Sequence, residues 1–200
     1  MNENLIESIK QRALADKVPI MEDESLNYVV NYLKENKITS LLEVGTAVGY
    51  SSICFANSNP KLKIVTLEKD ETRYNIAVEN IKLANLEKRI IAVLADAREY
   101  QLHDKFDVLF LDGPKAHNQQ LLERYLRNLK EDGIVIVDNM YFHGYIDNPE
   151  LIKKKRLKPL VLKMAKFKED MLNHPDFVSE YIEIGDGLLI CKRREKKNEL

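Results

Sequence analysis

Acidic and amide side chains follow two apolar runs of this 200-residue chain, and they are the residues best suited to do chemistry. Asp112 comes directly after the apolar run at 106–111. Asp138 and Asn139 come directly after the run at 134–137. If these runs are neighbouring parallel strands, their carboxyl ends place the three side chains together in the crevice where open α/β sheets bind ligands. Carboxylate and amide oxygens suit a hard divalent cation, so the pattern predicts a metal site.

Lys115 lies three residues beyond Asp112 and is a candidate general base. A cation held by the strand-end oxygens would lower the pKa of a coordinated hydroxyl, and a lysine beside it could accept the proton. We therefore interpret Lys115 and Asp112 as catalytic residues. Two plainer readings stay open, because strand-end Asp and Asn often cap the next helix and Lys115 could be an exposed lysine at a helix start. The helix dipole opposes a lysine there, which favours the functional reading.

The elements that must position these residues alternate between short apolar runs and helix-length amphipathic segments, which is the pattern of βα units and of a parallel sheet. Helical spacing at 71–84 and 116–129 predicts crossover helices, and two shorter helices are predicted before the first strand, the second of them capped by Asp23 or Ser25. The five predicted parallel strands are 40–44, 63–67, 90–94, 106–111 and 134–137.

The pattern changes after residue 140. A basic helical stretch is predicted from about 149 to 172, and two extended runs at 178–184 and 188–192 predict an antiparallel hairpin. The predicted fold class is α/β, with a seven-stranded, mainly parallel sheet, a C-terminal antiparallel hairpin and helices on both faces. We expect one domain over 1–200, made of N-terminal helices at 1–37, a catalytic core at 38–192 and a basic tail at 193–200.

Composition and charge narrow the function. The net charge is −1, so the overall electrostatics do not require a nucleic-acid partner. No apolar stretch approaches the ~20 residues that span a bilayer, and the N-terminus lacks a targeting pattern, which predicts a cytoplasmic protein with no membrane partner. Cys54 and Cys191 are isolated, which favours reduced core cysteines over a disulfide or a zinc site.

A loop between Gly45 and Gly49 joins the first predicted strand to the next helix. Its Gly-x-x-x-Gly spacing differs from that of dinucleotide binders, which disfavours a nicotinamide-dependent reductase. Glu68 ends the second predicted strand, where an acid can accept hydrogen bonds from ribose hydroxyls. Asp96 follows the third strand and could reach an adenine edge. Solvated helix caps are the plainer reading of either acid, but suitable groups at three consecutive strand ends favour a nucleoside site.

Five short motifs run through the chain in one order: Glu43-Val44-Gly45-Thr46-Ala47-Val48-Gly49-Tyr50-Ser51, Thr66-Leu67-Glu68, Leu111-Asp112-Gly113-Pro114-Lys115, Val137-Asp138-Asn139 and Gly185-Asp186-Gly187. Together they resemble the class I S-adenosylmethionine-dependent methyltransferases of the magnesium-dependent catechol and caffeoyl-CoA O-methyltransferase type. The resemblance implies a Rossmann-like fold, S-adenosylmethionine and Mg²⁺ as cofactors, and a homodimer.

The same resemblance implies roles for individual residues. Asp112, Asp138 and Asn139 would hold the metal, and Glu68 would bind the ribose. The full set implied to contact S-adenosylmethionine is Met21, Glu43, Gly45, Thr46, Gly49, Tyr50, Ser51, Glu68, Asp96, Ala97 and Asp112.

A metal that binds two neighbouring oxygens restricts the acceptor to catechol-like groups, and 5-hydroxyuridine is the one nucleic-acid base that fits. A basic cluster after the second acidic strand end favours a phosphate-bearing acceptor, although a solvated helix face is its plainer reading. This basic cluster consists of Lys153, Lys154, Lys155, Arg156 and Lys158.

The segments at 139–144, 153–156 and 173–177 also resemble the bacterial tRNA 5-hydroxyuridine methyltransferases, which make 5-methoxyuridine at the wobble position. This resemblance implies the tRNA anticodon stem-loop as partner. Tyr141 or Phe142 could stack on a splayed base, and the plainer reading of both is that they are core or dimer-contact residues. The alternative acceptor is a small catechol or a hydroxycinnamoyl-CoA thioester. Glu180 favours that alternative, because catechol methyltransferases carry a substrate-binding acid at a similar place.

Overall fold

The computed structural model describes residues 3–194, so the predicted basic tail lies outside the described residues from 195 onward. The chain divides into two compact units, Met1–Leu102 and His103–Leu200. The assignment of a single domain over 1–200 stays a prediction. No helix among the described residues is both long and apolar enough to cross a membrane.

The strands are β1 (Ser40–Val44), β2 (Lys63–Glu68), β3 (Ile90–Leu94), β4 (Phe106–Leu111), β5 (Leu129–Val137), β6 (Phe177–Ile182) and β7 (Leu188–Arg193). They form one sheet in the order β3-β2-β1-β4-β5-β7-β6. Strand β2 pairs in parallel with β1 and β3, and β4 pairs in parallel with β5. Strand β7 is antiparallel to both β5 and β6. The predicted seven-stranded, mainly parallel α/β fold with a C-terminal hairpin is confirmed.

The helices are α1 (Glu3–Ala15), α2 (Asp23–Glu35), α3 (Tyr50–Ser58), α4 (Glu71–Leu83), α5 (Asn118–Tyr125) and α6 (Lys158–Leu172). In the first unit, α2 buries Leu26, Val29 and Leu33, whose spacing places them on one helical face. Helix α2 starts at Asp23 and follows Glu22 without a side-chain cap, so the predicted capping role of Asp23 or Ser25 is wrong. Helix α4 does have a cap, because Asp70 accepts the backbone N–H of Arg73.

Strand β5 starts earlier than its apolar run predicts. The helix predicted over 116–129 is shorter in the structure, where 3₁₀ turns at Lys115–His117 and Leu126–Asn128 flank α5 and β5 begins at Leu129. The pairing of β4 with β5 shifts register between Phe106 and Val108, so the first part of β5 is irregular. Its polar residues are half-buried or exposed there, which is why the sequence resembles a loop.

The basic stretch from 149 to 172 is not one helix, which corrects the prediction. Two 3₁₀ turns, Pro149–Leu151 and Lys155–Leu157, precede α6. Pro159 lies in the first turn of α6. Proline has no backbone N–H to donate to a preceding helical turn, so the helix cannot extend further toward the N-terminus. Four members of the basic cluster therefore lie before α6, and only Lys158 lies on it.

Lys168 is a buried cation in the middle of α6, with 7% of its surface exposed. Its Nζ lies 2.8 Å from Oδ1 of Asp147 and 3.4 Å from the ring centroid of Tyr181 on β6. Burial raises the pKa of the Tyr181 phenol to about 12, so this ring stays neutral. The ammonium thus connects α6, β6 and the segment that follows β5.

We expect Lys168→Met to lower the free energy of unfolding by about 1–2 kcal/mol, because it removes a charge-assisted hydrogen bond and a cation–π contact while keeping an apolar side chain of similar length. Urea denaturation followed by circular dichroism measures the change. Lys166→Met is the matched control, since Lys166 is exposed on the same helix and its ion pair with Asp170 is a surface pair. Equal losses in the two variants would contradict a stabilising role for the buried ammonium.

Candidate active site

The carboxyl ends of β4 and β5 bring the two predicted metal-binding acids together. Leu111 pairs with Val137 in the parallel ladder, and the N–H of Asp138 donates to the carbonyl of Leu111 at 3.1 Å. Asp112 therefore follows β4 beside the residue that follows β5. Only 2% of Asp138 is exposed, and 18% of the Asp112 side chain. The expected juxtaposition of these acids is present within the second unit.

Lys115 is the first residue of a 3₁₀ turn, and its side chain points toward the two acids. Its Nζ lies 3.4 Å from Oδ1 of Asp112 and donates a hydrogen bond to Oδ1 of Asn139. The Lys115 side chain is 24% exposed. The reading of Lys115 as a solvent-exposed lysine at a helix start does not hold, because the side chain binds two of the predicted metal ligands.

Asn139 is held from its other side by the link between β6 and β7. Its Nδ2 donates to Oδ2 of Asp186 at 3.0 Å. The backbone of the link also accepts from the segment after β5, with the N–H of Met140 donating to Gly187 at 2.9 Å and that of Tyr141 to Asp186 at 2.7 Å. The sequence indicated Asp186 only as part of a motif. Its position between two glycines was the signal that could have identified it as a site residue.

The site carries more negative charge than its surroundings balance. Burial, together with the neighbouring Asp112, raises the pKa of Asp138 to about 8, although Lys115 opposes the shift. Burial also raises the pKa of Asp112, against the effect of Lys115. Two buried carboxyl groups share one ammonium, so an additional positive charge would stabilise their ionised forms.

The donor set fits a hard divalent cation. It consists of two carboxylates and one amide oxygen, and the ammonium of Lys115 already contacts two of the three groups. Within residues 3–194 no group of three His, Cys, Asp or Glu side chains could hold a metal, so the amide oxygen of Asn139 is an essential member of the set. Oxygen donors without sulfur or imidazole favour Mg²⁺ over zinc.

The first unit carries all the predicted S-adenosylmethionine residues except Asp112, and its glycine loop has the backbone conformation that requires glycine. Gly45 has a φ of 104° and Gly49 a φ of 81°, both in the left-handed region. Gly49 directly precedes α3, so the loop ends at the N-terminus of that helix. Tyr50 and Ser51 form the first turn of α3 and are buried.

Glu43 is fully buried at the end of β1, where protein hydroxyls surround its carboxylate. Ser51 donates to it at 2.6 Å, Thr66 at 2.5 Å, and Ser52 also donates. Thr46 shares a hydrogen bond of 2.6 Å with Thr66. This network ties the glycine loop to β1, β2 and α3, so Glu43 acts on the loop through the hydroxyls. Direct contact of Glu43, Thr46 and Ser51 with the cofactor stays a prediction.

Glu68 contacts the same loop. Its Oε2 accepts the N–H of Ala47 at 2.8 Å, and its Oε1 accepts the N–H groups of Lys69 and Asp70 at 2.9 Å each. A carboxylate has about four acceptor directions, and these bonds take both directions of Oε1 and one of Oε2. One direction of Oε2 stays open for a ribose hydroxyl, so hydrogen bonds from both ribose hydroxyls stay a prediction.

Asp96 follows β3 and binds Arg98, two residues further along. Nε of Arg98 donates to Oδ1 at 3.0 Å and Nη2 to Oδ2 at 2.5 Å. These bonds lower the pKa of Asp96 to about 2. The predicted contact of Asp96 with an adenine edge would have to share a carboxylate that Arg98 already binds. Met21 and Ala97, also predicted cofactor residues, are buried.

The basic cluster of Lys153, Lys154, Lys155, Arg156 and Lys158 is exposed throughout. Within the described chain the structure gives none of these five side chains an ion pair. Their positive charge is therefore not neutralised by neighbouring acids.

Comparisons with known proteins bear on the family and the fold of this chain. The family model described as O-methyltransferase matches residues 1–194. The caffeoyl-CoA O-methyltransferase of Populus kitakamiensis is 28% identical over 187 residues, covering 88% of this chain and 77% of the relative. That of Stellaria longipes is 27% identical over 170 residues, covering 80% of this chain and 70% of the relative.

Solved structures share the fold. A Staphylococcus aureus protein, assigned as a candidate caffeoyl-CoA O-methyltransferase, superposes with a TM-score of 0.90 at 29% identity, covering 94% of this chain and 92% of that one. An O-methyltransferase from Bacillus cereus, solved with SAH, superposes with a TM-score of 0.82 at 22% identity, covering 97% and 92%. The predicted Rossmann-like methyltransferase architecture is confirmed.

Asp138 predicts a pH dependence of stability in protein stripped of divalent ions. Its carboxyl stays protonated in the folded protein up to about pH 8, but ionises near the ordinary value of 3.8 in the unfolded chain. The folded state binds more protons between these values, so this group makes folding less stable as the pH rises from about 4 to about 8. Asp138→Asn removes the titration and keeps an acceptor for the N–H of Asn139.

We expect the Tm of Asp138→Asn minus that of the wild type to grow with pH across this window and to level off above it. Differential scanning fluorimetry in EDTA measures both proteins over a pH series, and the subtraction cancels the titration of groups that do not interact with Asp138. A difference that stays constant with pH would show that Asp138 ionises normally.

Proposed function

The chain belongs to the O-methyltransferase family, and we propose that this S-adenosylmethionine-dependent enzyme binds a divalent cation and methylates a hydroxyl that has a second oxygen beside it. One observation carries the proposal. Lys115 reaches Asp112 and Asn139 at the ends of two neighbouring strands, where Asp138 adds a second buried acid. Such an oxygen-rich pocket with an adjacent amine suits deprotonation of a chelated hydroxyl.

The chain's own residues supply the remaining steps. Asp112, Asp138 and Asn139 would hold the cation, which when bound lowers the pKa of the acceptor hydroxyl and fixes its orientation. Lys115 is the base of this scheme, and its amine would accept the hydroxyl proton when it is in the unprotonated form. The acceptor oxygen then forms a bond to the methyl carbon, the carbon–sulfur bond of the sulfonium breaks, and its electron pair stays on sulfur.

Asp186 has a positioning role in this scheme. It accepts from Nδ2 of Asn139, which leaves Oδ1 of the same amide directed at Lys115. If the Asn139 amide were flipped, Nδ2 would face the amine of Lys115 and Oδ1 would face the carboxylate of Asp186. Both hydrogen bonds would then be lost. The amide oxygen is thereby fixed as a ligand. The Gly45–Gly49 loop and Glu68 of the first unit would bind the methyl donor.

For the acceptor, we propose 5-hydroxyuridine at the wobble position of tRNA, converted to 5-methoxyuridine. Its 5-hydroxyl and 4-keto oxygens are neighbours, which satisfies a chelating site. The five exposed cations of the basic cluster support an acceptor that carries phosphates, because no ion pair within the described chain neutralises them. Four of its five members precede α6, so they would act as an exposed loop and turn against the anticodon stem-loop.

A small catechol-like or hydroxycinnamoyl-CoA acceptor is the second candidate. The names of the plant relatives favour it, since caffeoyl-CoA O-methyltransferases act on such a thioester. Glu180 lies exposed on β6, an edge strand of the sheet, and this does not decide between the two acceptors. Homodimerisation also stays a proposal.

Asp138→Ala should abolish metal-dependent turnover, because it removes one of two carboxylates that would hold the cation, and it should leave S-adenosylmethionine affinity within a few fold. Isothermal titration calorimetry measures donor binding, and methylation assays over a Mg²⁺ series measure turnover. Asp104→Ala is the control, since Asp104 is an exposed acid of the same unit. Equal loss of donor binding and turnover would count against the assignment.

The acceptor is tested by incubating the protein with S-adenosylmethionine, Mg²⁺ and tRNA that contains 5-hydroxyuridine, followed by mass spectrometry of the nucleosides. We expect 5-methoxyuridine in the wild-type reaction and none with Asp138→Ala. Ready methylation of catechols without any 5-methoxyuridine would overturn the choice of RNA.

A further inference from the structure

A groove of about 560 Å³ lies between the start of α5 and the middle of α6, entirely within the second unit. We propose that it is a subsite for the nucleotide next to the reacting base of an RNA acceptor. The inference rests on the proposed function and goes beyond it, because it assigns a second set of RNA contacts outside the metal site and the basic cluster.

The groove begins at the active site. Lys115 is one of its lining residues, and the same side chain contacts Asp112 and Asn139. A group attached to the reacting base can therefore continue past Lys115 into the groove. The volume lies within the range of about 300–1,000 Å³ typical of small-molecule sites, which accommodates a nucleotide.

The floor of the groove is apolar. Phe167 is buried beneath it, and Leu162 lines it with 47% of its surface exposed. An exposed leucine in a concave site offers an apolar surface for the face of a base, and this contact does not depend on which of the four bases is present. The exposed amide of Gln120 lines the same groove and can both donate to and accept from a base edge.

One cation of the groove is available for a phosphate. Lys166 pairs with Asp170 on the same helix. Lys163 is exposed, lines the groove and has no ion pair within the described chain. It lies five residues after Lys158 on α6, so it is a cation of the groove in addition to the basic cluster. A neutral catechol has no group that requires Lys163, whereas a nucleotide has a phosphate.

The test compares Lys163→Glu with Lys105→Glu, which carries the same charge change at an exposed position of the same unit. Lys105 precedes β4, whereas Asp112 follows it, so the control lies at the opposite end of that strand. The acceptors are a synthetic anticodon stem-loop containing 5-hydroxyuridine and a simple catechol. Melting temperatures of both variants confirm that they are folded.

We expect Lys163→Glu to raise the KM for the stem-loop about tenfold and to lower the slope of log affinity against log salt by about 1, as expected for one lost phosphate contact. The catechol KM should change no more than in Lys105→Glu. Leu162→Ala should raise the stem-loop KM about fivefold with the salt slope unchanged, because it removes apolar contact and no charge.

The outcomes separate the subsite from the proposed function. Methylation of the stem-loop with the same KM in Lys163→Glu and Lys105→Glu would overturn the subsite and leave the RNA methyltransferase proposal intact. Methylation of catechol without methylation of the stem-loop by the wild type would overturn both. Equal losses on both acceptors in Lys163→Glu would show that Lys163 acts on the catalytic site, which also overturns the subsite.

Discussion

Two buried acids at neighbouring strand ends are the constraint on which the rest of the site depends. The register that pairs Leu111 with Val137 leaves Asp112 and Asp138 side by side. Burial and mutual repulsion raise the pKa of Asp138, so the ionised pair requires nearby positive charge. Lys115 supplies one such charge from the turn that follows Asp112. A divalent cation would supply the remaining positive charge. The repulsion between the two buried carboxylates, which makes the folded state less stable, would then favour binding of the cation.

The C-terminal hairpin supports this site as well as completing the sheet. Strand β7 is antiparallel to β5, and Leu189 pairs with Val137. The link that precedes β7 must therefore lie beside the residues that follow β5. This geometry is why Asp186 can orient Asn139, which is 47 positions away in the chain. The hairpin fixes the amide ligand, while the parallel strands fix the acids.

The two units carry different parts of the proposed site. The first holds a glycine loop in place through the carboxylates of Glu43 and Glu68, which accept hydroxyl and backbone N–H groups. The second presents the acids, Lys115 and the charged segments before and along α6. Under the proposed function the acids would suit any acceptor with two adjacent oxygens, so the choice among acceptors would depend on side chains outside the strands, such as Lys163 and the basic cluster.

The sequence by itself determined the strands, their α/β order and the presence of Asp112, Asp138 and Asn139 at strand ends, because apolar runs and the residues that end them are local patterns. The tertiary structure decided where Lys115 points and that Asp186 holds Asn139. The start of α6 at Lys158, after most of the basic cluster, is instead a local effect of Pro159. Orientation and pairing between distant residues depend on which strands and links become neighbours in the folded sheet, and a pattern local to one segment does not contain that information.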